Sequence, residues 1–166
     1  TQPDCTHATG AITVTAPLGS GYTYSIDGIN YSNTSGIFSG LAAATYPVTA
    51  RKSNGCITPV YQAVINAQPV IPTAPLVGDR TQPTCALATG SVFLSGLPSS
   101  GSWTLTRTPG AVNTSGTGIS TTVSGIPPGT YTFTVTNAAA CTSPSSANVV
   151  INNQPSSPTA PQQTVD

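Results

Sequence analysis

The sequence predicts an all-β chain made of two tandem copies of one sandwich-like unit. Charged residues are 5% of the chain, against roughly 25% in an average globular protein. Thr, Ser, Gly, Ala, Pro and Val fill most positions, so strand and turn formers outnumber helix formers. Two stretches, 39–56 and 124–141, also share one pattern: a turn, a strand opened by Tyr, and a cysteine. These observations favour paired β units.

The strands recur in the same order in both copies. Thr-Gln-Pro opens each copy, at 1–3 and 81–83, and Ala-Thr-Gly follows at 8–10 and 88–90. Alternation of apolar and hydroxylated residues then predicts pairs of equivalent strands. They lie at 11–15 and 91–95, 22–26 and 103–107, 36–38 and 120–123, and 60–66 and 147–152.

Tyr22 and Trp103 occupy equivalent places, and we interpret both as core anchors; the alternative is an exposed aromatic pair. The dipeptide Asp27-Gly28 after the first of these strands predicts a two-residue hairpin, since both residues tolerate positive φ. The second copy has a longer, irregular excursion there, at 111–118.

Tyr46 and Tyr131 follow equivalent turns at the start of an alternating strand. This spacing is typical of a tyrosine corner, in which the phenol bonds back to the backbone of the turn, as in immunoglobulin-like sandwiches. The alternative is that both are ordinary core aromatics. The predicted fold class is therefore two tandem immunoglobulin-like β-sandwich repeats joined by a Pro-rich linker.

The cysteines are Cys5, Cys56, Cys85 and Cys141. None forms a Cys-x-x-Cys motif, and the single histidine, His7, cannot complete a zinc set. Four cysteines allow three pairings. Because one pair falls at matching places in each copy, we expect Cys5–Cys56 and Cys85–Cys141. Each bond would close about fifty residues and stabilise its unit by roughly 4 kcal/mol in the chain-entropy model. Such bonds predict an extracellular, cell-surface location.

Each copy ends in a stretch with proline at every third residue, at 69, 72 and 75 and at 155, 158 and 161, which favours a semi-rigid connector. We predict one repeat at 1–67, a linker at 68–80, a second repeat at 81–153, and an exit at 154–166 that leads to a following repeat.

These residues resemble a known family. The first copy has Tyr-Ser-Ile-Asp-Gly at 24–28, Phe-Ser-Gly-Leu at 38–41 and Asn-Gly-Cys at 54–56, and it resembles the SprB-type repeat of giant surface adhesins in gliding Bacteroidota. The second copy, with Gly-Ser-Trp-Thr-Leu-Thr-Arg at 101–107 and Gly-Thr-Tyr at 129–131, looks like a sister repeat. The resemblance implies type IX secretion, a filament of many repeats, and a role in cell adhesion or gliding motility. Pro47 departs from the family pattern and predicts a strand edge or an irregularity.

Enzymatic chemistry has little to work with in this sequence. The four acids are scattered aspartates and there is no Glu, which argues against paired carboxylates, a calcium cage and a promoted isopeptide bond at Lys52. A Ser-His-Asp arrangement would need His7, which is better explained as an exposed polar residue. We predict no enzyme activity, catalytic residue, metal or cofactor.

The expected partners are neighbouring repeats of the same chain. Net charge is zero, so we predict no nucleic-acid binding, and no apolar stretch is long enough for membrane insertion. The loop with Asn30, Tyr31 and Asn33 is a candidate glycan site, since an aromatic and amides suit a sugar; the alternative is a wide hairpin with Tyr31 packed over the sheet edge. Threonine rows could bind ice or sugar, but β-propensity alone also explains them.

We therefore expect a structural or adhesive stalk segment of a secreted bacterial adhesin. The alternative is a carbohydrate-binding module of a secreted enzyme, in which Tyr31, Tyr61 and Trp103 would form a flat, exposed face.

Overall fold

A computed structural model describes residues 1–163. All of its regular structure is β, and no helix occurs among the residues described. The chain divides into two compact units, Thr1–Val70 (unit 1) and Ile71–Asp166 (unit 2).

Unit 1 has two antiparallel sheets. Its strands are β1 (Gly10–Thr13), β2 (Tyr22–Ser25), β3 (Ile37–Leu41), β4 (Ala44–Lys52) and β5 (Tyr61–Ile65). Strands β1 and β3 form one sheet, and β2, β4 and β5 form the other, with β4 in the middle. Tyr24, Val48, Ala50 and Ile65 are among the buried residues of unit 1. Strand β2 pairs with β4 only from Thr49 onward, so Pro47 lies where β4 has β5 alone as a neighbour.

Unit 2 also has two antiparallel sheets, and both are wider. Its strands are β6 (Leu76–Thr81), β7 (Gly90–Ser95), β8 (Ser102–Thr108), β9 (Val112–Thr117), β10 (Ser120–Ile126), β11 (Gly129–Asn137) and β12 (Val149–Ile151). The sheet orders are β10-β7-β6 and β12-β11-β8-β9. Residues of both sheets form one core cluster, in which Leu94, Leu105, Ile126 and Phe133 are at most 1% exposed.

The two units share one hydrogen-bonding register. Tyr22 pairs with Lys52, six residues after Tyr46, and Trp103 pairs with Asn137, six residues after Tyr131. The long strands β4 and β11 are therefore equivalent, and so are β2 and β8. This register supports the predicted equivalence of Tyr22 and Trp103.

Two strands were not predicted. Strand β6 occupies 76–81, so the predicted linker at 68–80 is free of regular structure only as far as Pro75. Strand β9 occupies most of the excursion at 111–118 and pairs with β8. The predicted exit at 154–166 has no strand as far as residue 163, and its last three residues lie outside the described part.

The turn at Asp27-Gly28 is wider than the two-residue hairpin predicted for it. The residue next bridged to β2 is Asn33, which pairs with Tyr24. Gly28 has a φ of 74°, which glycine adopts without strain. The turn therefore extends into the loop that carries Tyr31.

Candidate functional site

In each unit, a glutamine in the opening segment is hydrogen-bonded to the last strand in the same way. In unit 1, Gln2 Nε2 donates to the Val64 carbonyl at 2.8 Å and Gln2 Oε1 accepts from Asn66 N at 2.8 Å. In unit 2, Gln82 makes the equivalent bonds to the Val150 carbonyl at 3.1 Å and from Asn152 N at 2.8 Å. In each unit, one glutamine side chain thus bonds a backbone carbonyl of the last strand and the backbone N–H two residues later. Recurrence of Gln at the second position of both copies was the signal in the sequence.

The phenols of the two corner tyrosines bond back to the turn that precedes them. Tyr46 Oη donates to the Ala42 carbonyl at 3.0 Å, and Tyr131 Oη donates to the Pro128 carbonyl at 3.4 Å. Tyr131 is 8% exposed, and Tyr46 is half-buried. These bonds tie the start of each long strand to its turn.

The predicted cysteine pairs are wrong. Cys5 and Cys141 are the disulfide-bonded cysteines, whereas Cys56 and Cys85 are free and exposed. The reason is the strand register. Each predicted pair would have to span the whole of β4 or β11, eight residue steps or about 26 Å, and a disulfide requires Cα atoms about 4.4–6.8 Å apart.

The loop predicted as a glycan site does not present its aromatic ring. Tyr31 is 8% exposed, its hydroxyl bonds Thr49 Oγ1 at 2.9 Å, and Arg51 covers the ring at 4.5 Å from its centroid. A ring held between the sheet and a guanidinium cannot stack on a sugar. The wide-hairpin alternative describes Tyr31 correctly.

The amides of this loop also serve the fold. Asn33 Nδ2 donates to the Ile37 carbonyl at 2.8 Å, and its Oδ1 accepts from Gly36 N at 2.8 Å. Asn30 is exposed, but its backbone N–H donates to Asp27 Oδ1 at 2.8 Å. Of the three predicted glycan residues, Asn30 is exposed, Asn33 is half-buried and Tyr31 is buried.

Asp27 organises the same loop electrostatically. The Ser25 hydroxyl, with the backbone N–H groups of Asn30 and Ile29, lowers the pKa of Asp27 to about 2 from 3.8. Hydrogen bonds to the charged form account for the direction of this pKa shift. An ionised Asp27 is thus part of the folded loop at neutral pH.

The other aromatics divide between core and surface. Trp103 is 3% exposed, and its Nε1 donates to the Gly118 carbonyl at 2.7 Å, which agrees with the core-anchor interpretation. Tyr22 is half-buried. Tyr61 is 71% exposed, so it alone of Tyr31, Tyr61 and Trp103 is available for stacking.

The threonine rows are engaged across the strands. Thr104 bonds Ser115 at 3.3 Å, Thr106 donates to Asn113 Oδ1 at 2.9 Å, and Thr136 bonds Thr142 at 2.8 Å. Cross-strand hydroxyl pairs are a common means of sheet stabilisation. They leave fewer free hydroxyls for ice or sugar.

A cleft of about 500 Å³ lies within unit 1. One wall is the segment from Ile12 to Pro17; the other includes Thr49, Thr58 and Tyr61. In unit 2, Val77 of β6 packs against the core, and β6 covers the edge of β7. Strand β1 pairs with β3 on one side, and on its other side Ala11 exchanges backbone hydrogen bonds with Thr1, at 2.6 Å and 2.9 Å.

One acid is paired with the single histidine. Asp4 Oδ2 lies 3.0 Å from His7 Nδ1 in an exposed pair, and hydrogen bonds from Thr6 and then His7 hold the pKa of Asp4 well below its usual range. No three His, Cys, Asp or Glu side chains among the described residues come together in a way that could hold a metal ion.

Comparison with known proteins adds no relative. No protein-family model matches the chain, and no curated protein matches it. Among residues 1–163, no helix has the length and apolar character needed to cross a membrane. The fold and the site therefore define an all-β protein. Its most specific feature is the set of hydrogen bonds that Gln2 in unit 1 and Gln82 in unit 2 make with the last strand, which we call the glutamine frame.

Proposed function

We propose that the chain is a stalk segment of an extracellular bacterial adhesin or filament, built from tandem immunoglobulin-like repeats with Pro-rich joints. The observation that carries this proposal is the presence of the same glutamine frame in both units. In both units a glutamine fixes the opening segment to the last strand, and the chain leaves beside that segment. A module closed in this way can be placed in series without a new interface for each copy.

The surface chemistry supports a spacer more than a binder. The aromatic of the Tyr31 loop is covered by Arg51, and Trp103 is in the core. A disulfide supports an oxidising compartment. The resemblance to gliding-adhesin repeats agrees with this proposal, with type IX secretion and with neighbouring repeats as the principal partners. The stalk role needs neither catalysis nor a cofactor.

The carbohydrate-binding alternative has one observation in its favour. The cleft of unit 1 combines threonine hydroxyls with the exposed ring of Tyr61. Aromatic faces beside hydroxyl groups are suited to surface polysaccharide.

Binding to a panel of insoluble polysaccharides and soluble glycans separates the two functions. The stalk proposal expects no saturable binding by the intact chain at high protein concentration. Saturable binding that Tyr61→Ala abolishes and Tyr22→Phe preserves would overturn it in favour of the cleft. Tyr22→Phe is the matched control, because Tyr22 belongs to the same unit but does not line the cleft.

A mechanical measurement tests the stalk directly. Pulled from its ends under reducing conditions, the chain should show two unfolding events. The event for unit 1 should release about 230–250 Å of contour, less its folded length, from about 3.3–3.6 Å per residue over 70 residues. A single event, or extension without a force peak, would contradict a load-bearing role.

A further inference from the structure

The two cysteines of each unit lie at opposite ends of that unit. The Cys5 carbonyl accepts from Gln68 Nε2 at 3.2 Å, beyond the end of β5 at Ile65, which pairs with Ala44. The Cys56 carbonyl accepts from Lys52 N at 2.9 Å, at the other end of β4. These ends of unit 1 are called the Cys5 end and the Cys56 end.

Unit 2 has the same arrangement. The Cys85 carbonyl accepts from Gln154 Nε2 at 3.1 Å, beyond the end of β12, where Ile151 pairs with Gly129. The Cys141 carbonyl accepts from Asn137 N at 3.0 Å, at the far end of β11. Cys85 is therefore the structural equivalent of Cys5, and Cys141 the equivalent of Cys56.

Equivalent cysteines differ in oxidation. Cys5 is disulfide-bonded and its equivalent Cys85 is a free, exposed thiol; Cys141 is disulfide-bonded and its equivalent Cys56 is a free, exposed thiol. At each end of the repeat, therefore, the cysteine of one unit is disulfide-bonded and the equivalent cysteine of the other unit is an accessible thiol.

The path of the chain distinguishes the bonded ends from the free ones. The connector begins beside Cys5, where Gln68 is bonded. It reaches β6, the first strand of unit 2, at Leu76, and β6 runs to Thr81 and toward Cys85. The connector therefore leaves unit 1 at its Cys5 end, and it joins the first strand of unit 2 at the end opposite Cys85. Within each unit, the bonded cysteine belongs to the end that the connector joins. Cys56 and Cys85 belong to the ends it does not join.

We propose that Cys56 and Cys85 are linking thiols, through which copies of this chain are bonded in series: Cys85 of one copy bonds Cys56 of the next. This inference rests on the proposed function, since it assumes that repeats are used in series. The bond forms by oxidation of two thiols by a disulfide oxidant such as oxidised glutathione. A thiolate attacks one sulfur of glutathione disulfide and releases one glutathione; the second cysteine thiolate then displaces the other, so two protons and two electrons leave the protein thiols.

The test uses the intact chain, oxidised glutathione and two single variants. The wild-type chain is expected to form a ladder of covalent oligomers on a non-reducing gel. Cys56→Ser alone and Cys85→Ser alone should remain monomeric, because each lacks one of the two linking thiols. An equimolar mixture of the two variants should give dimer, at least tenfold more than either variant alone, and no higher species.

Peptide mapping identifies the bond. Trypsin places each cysteine in its own peptide, because it cuts after Arg51, Lys52, Arg80 and Arg107. The dimer of the mixed variants should contain the Cys85 peptide of one chain joined to the Cys56 peptide of the other.

Two outcomes would overturn the proposal. The first is Cys85–Cys85 or Cys56–Cys56 dimer from a single variant at the yield of the mixture, which would show unselective oxidation of exposed thiols. The second is absence of dimer in the mixture at millimolar protein. Both are independent of the glycan panel, so the stalk function and the linking thiols can fail separately.

Discussion

Gly116 is predicted to be a position where the smallest possible enlargement destabilises unit 2. A Cβ atom added there would lie 2.6 Å from Trp103 Cη2 and 2.8 Å from Cζ2. The indole cannot easily retreat, since it is 3% exposed and its Nε1 is bonded to the Gly118 carbonyl at 2.7 Å. Overpacking of this kind costs about 1–3 kcal/mol.

A second effect of the Gly116→Ala substitution acts in the opposite direction, so the sign of the change in the free energy of unfolding shows which effect dominates. Replacing a glycine by alanine reduces the entropy of the unfolded chain and, where the backbone permits, stabilises by about 0.4–1 kcal/mol. If the contact with Trp103 dominates, Gly116→Ala should lower the free energy of unfolding by about 1–2 kcal/mol. For a slope near 2 kcal/mol/M, this shifts the urea midpoint down by about 0.5–1 M.

The assay follows from the composition. The chain has one tryptophan, so its fluorescence during urea denaturation reports on unit 2 alone. Ser115→Thr is the matched control on the same strand, because it keeps the hydroxyl that bonds Thr104, the side chain is exposed, and the expected change is within about 0.5 kcal/mol.

A double-mutant cycle with Trp103→Phe, followed by circular dichroism, tests the cause. The smaller ring should remove most of the penalty of Gly116→Ala. A raised midpoint for Gly116→Ala, or the same penalty with Phe at 103, would refute the reasoning.

Three further predictions concern hydrogen-bonded side chains. Because folding lowers the pKa of Asp27 to about 2 from 3.8, its ionised form stabilises the fold above about pH 4, and this contribution is lost as the pH falls toward 2; an NMR titration midpoint near 3.8 would contradict this. Tyr46→Phe removes the bond to Ala42 and should cost about 1 kcal/mol in thermal unfolding, and an unchanged midpoint would disprove that role. Gln82→Ala removes the acceptor of Asn152 N–H, and amide exchange there should accelerate about five- to thirtyfold for a loss of about 1–2 kcal/mol, whereas unchanged exchange would show that the bond is dispensable.

The strands with alternating patterns could be predicted from the sequence, because alternation reflects burial on one face. Strands β7 and β8 are good examples, with Val92, Leu94, Trp103 and Leu105 all buried. Strand β6 escaped prediction because Leu76-Val77 follows Pro75 and is succeeded by Gly, Asp and Arg, so a short edge strand had the composition of a linker. Strand β9 escaped because Asn, Ser and Gly make up half of its residues, and its pairing with β8 compensates for their low strand propensity.

The candidate glycan loop shows a different limit of sequence reasoning. Its residue types suit a sugar, but they suit a hydrogen-bonded turn equally well. The ring is unavailable to a sugar because Arg51 of β4, twenty residues further along the chain, lies over Tyr31. A local pattern does not report which distant side chain will cover it.

The cysteines show that strand direction, and not sequence spacing, determines which cysteines can pair. Matching positions in two copies look the same whether a bond forms within a repeat or beyond it. A cysteine that follows a strand lies at the end toward which that strand runs. Cys85 follows β6, which runs toward the Cys85 end, whereas Cys141 follows β11, which starts at that end and runs away from it. Because the two strands run in opposite directions, their cysteines lie at opposite ends of unit 2, separated by roughly the length of β11, eight residue steps or about 26 Å. Cys85 and Cys141 therefore could pair within unit 2 only if β6 and β11 ran the same way, and they do not.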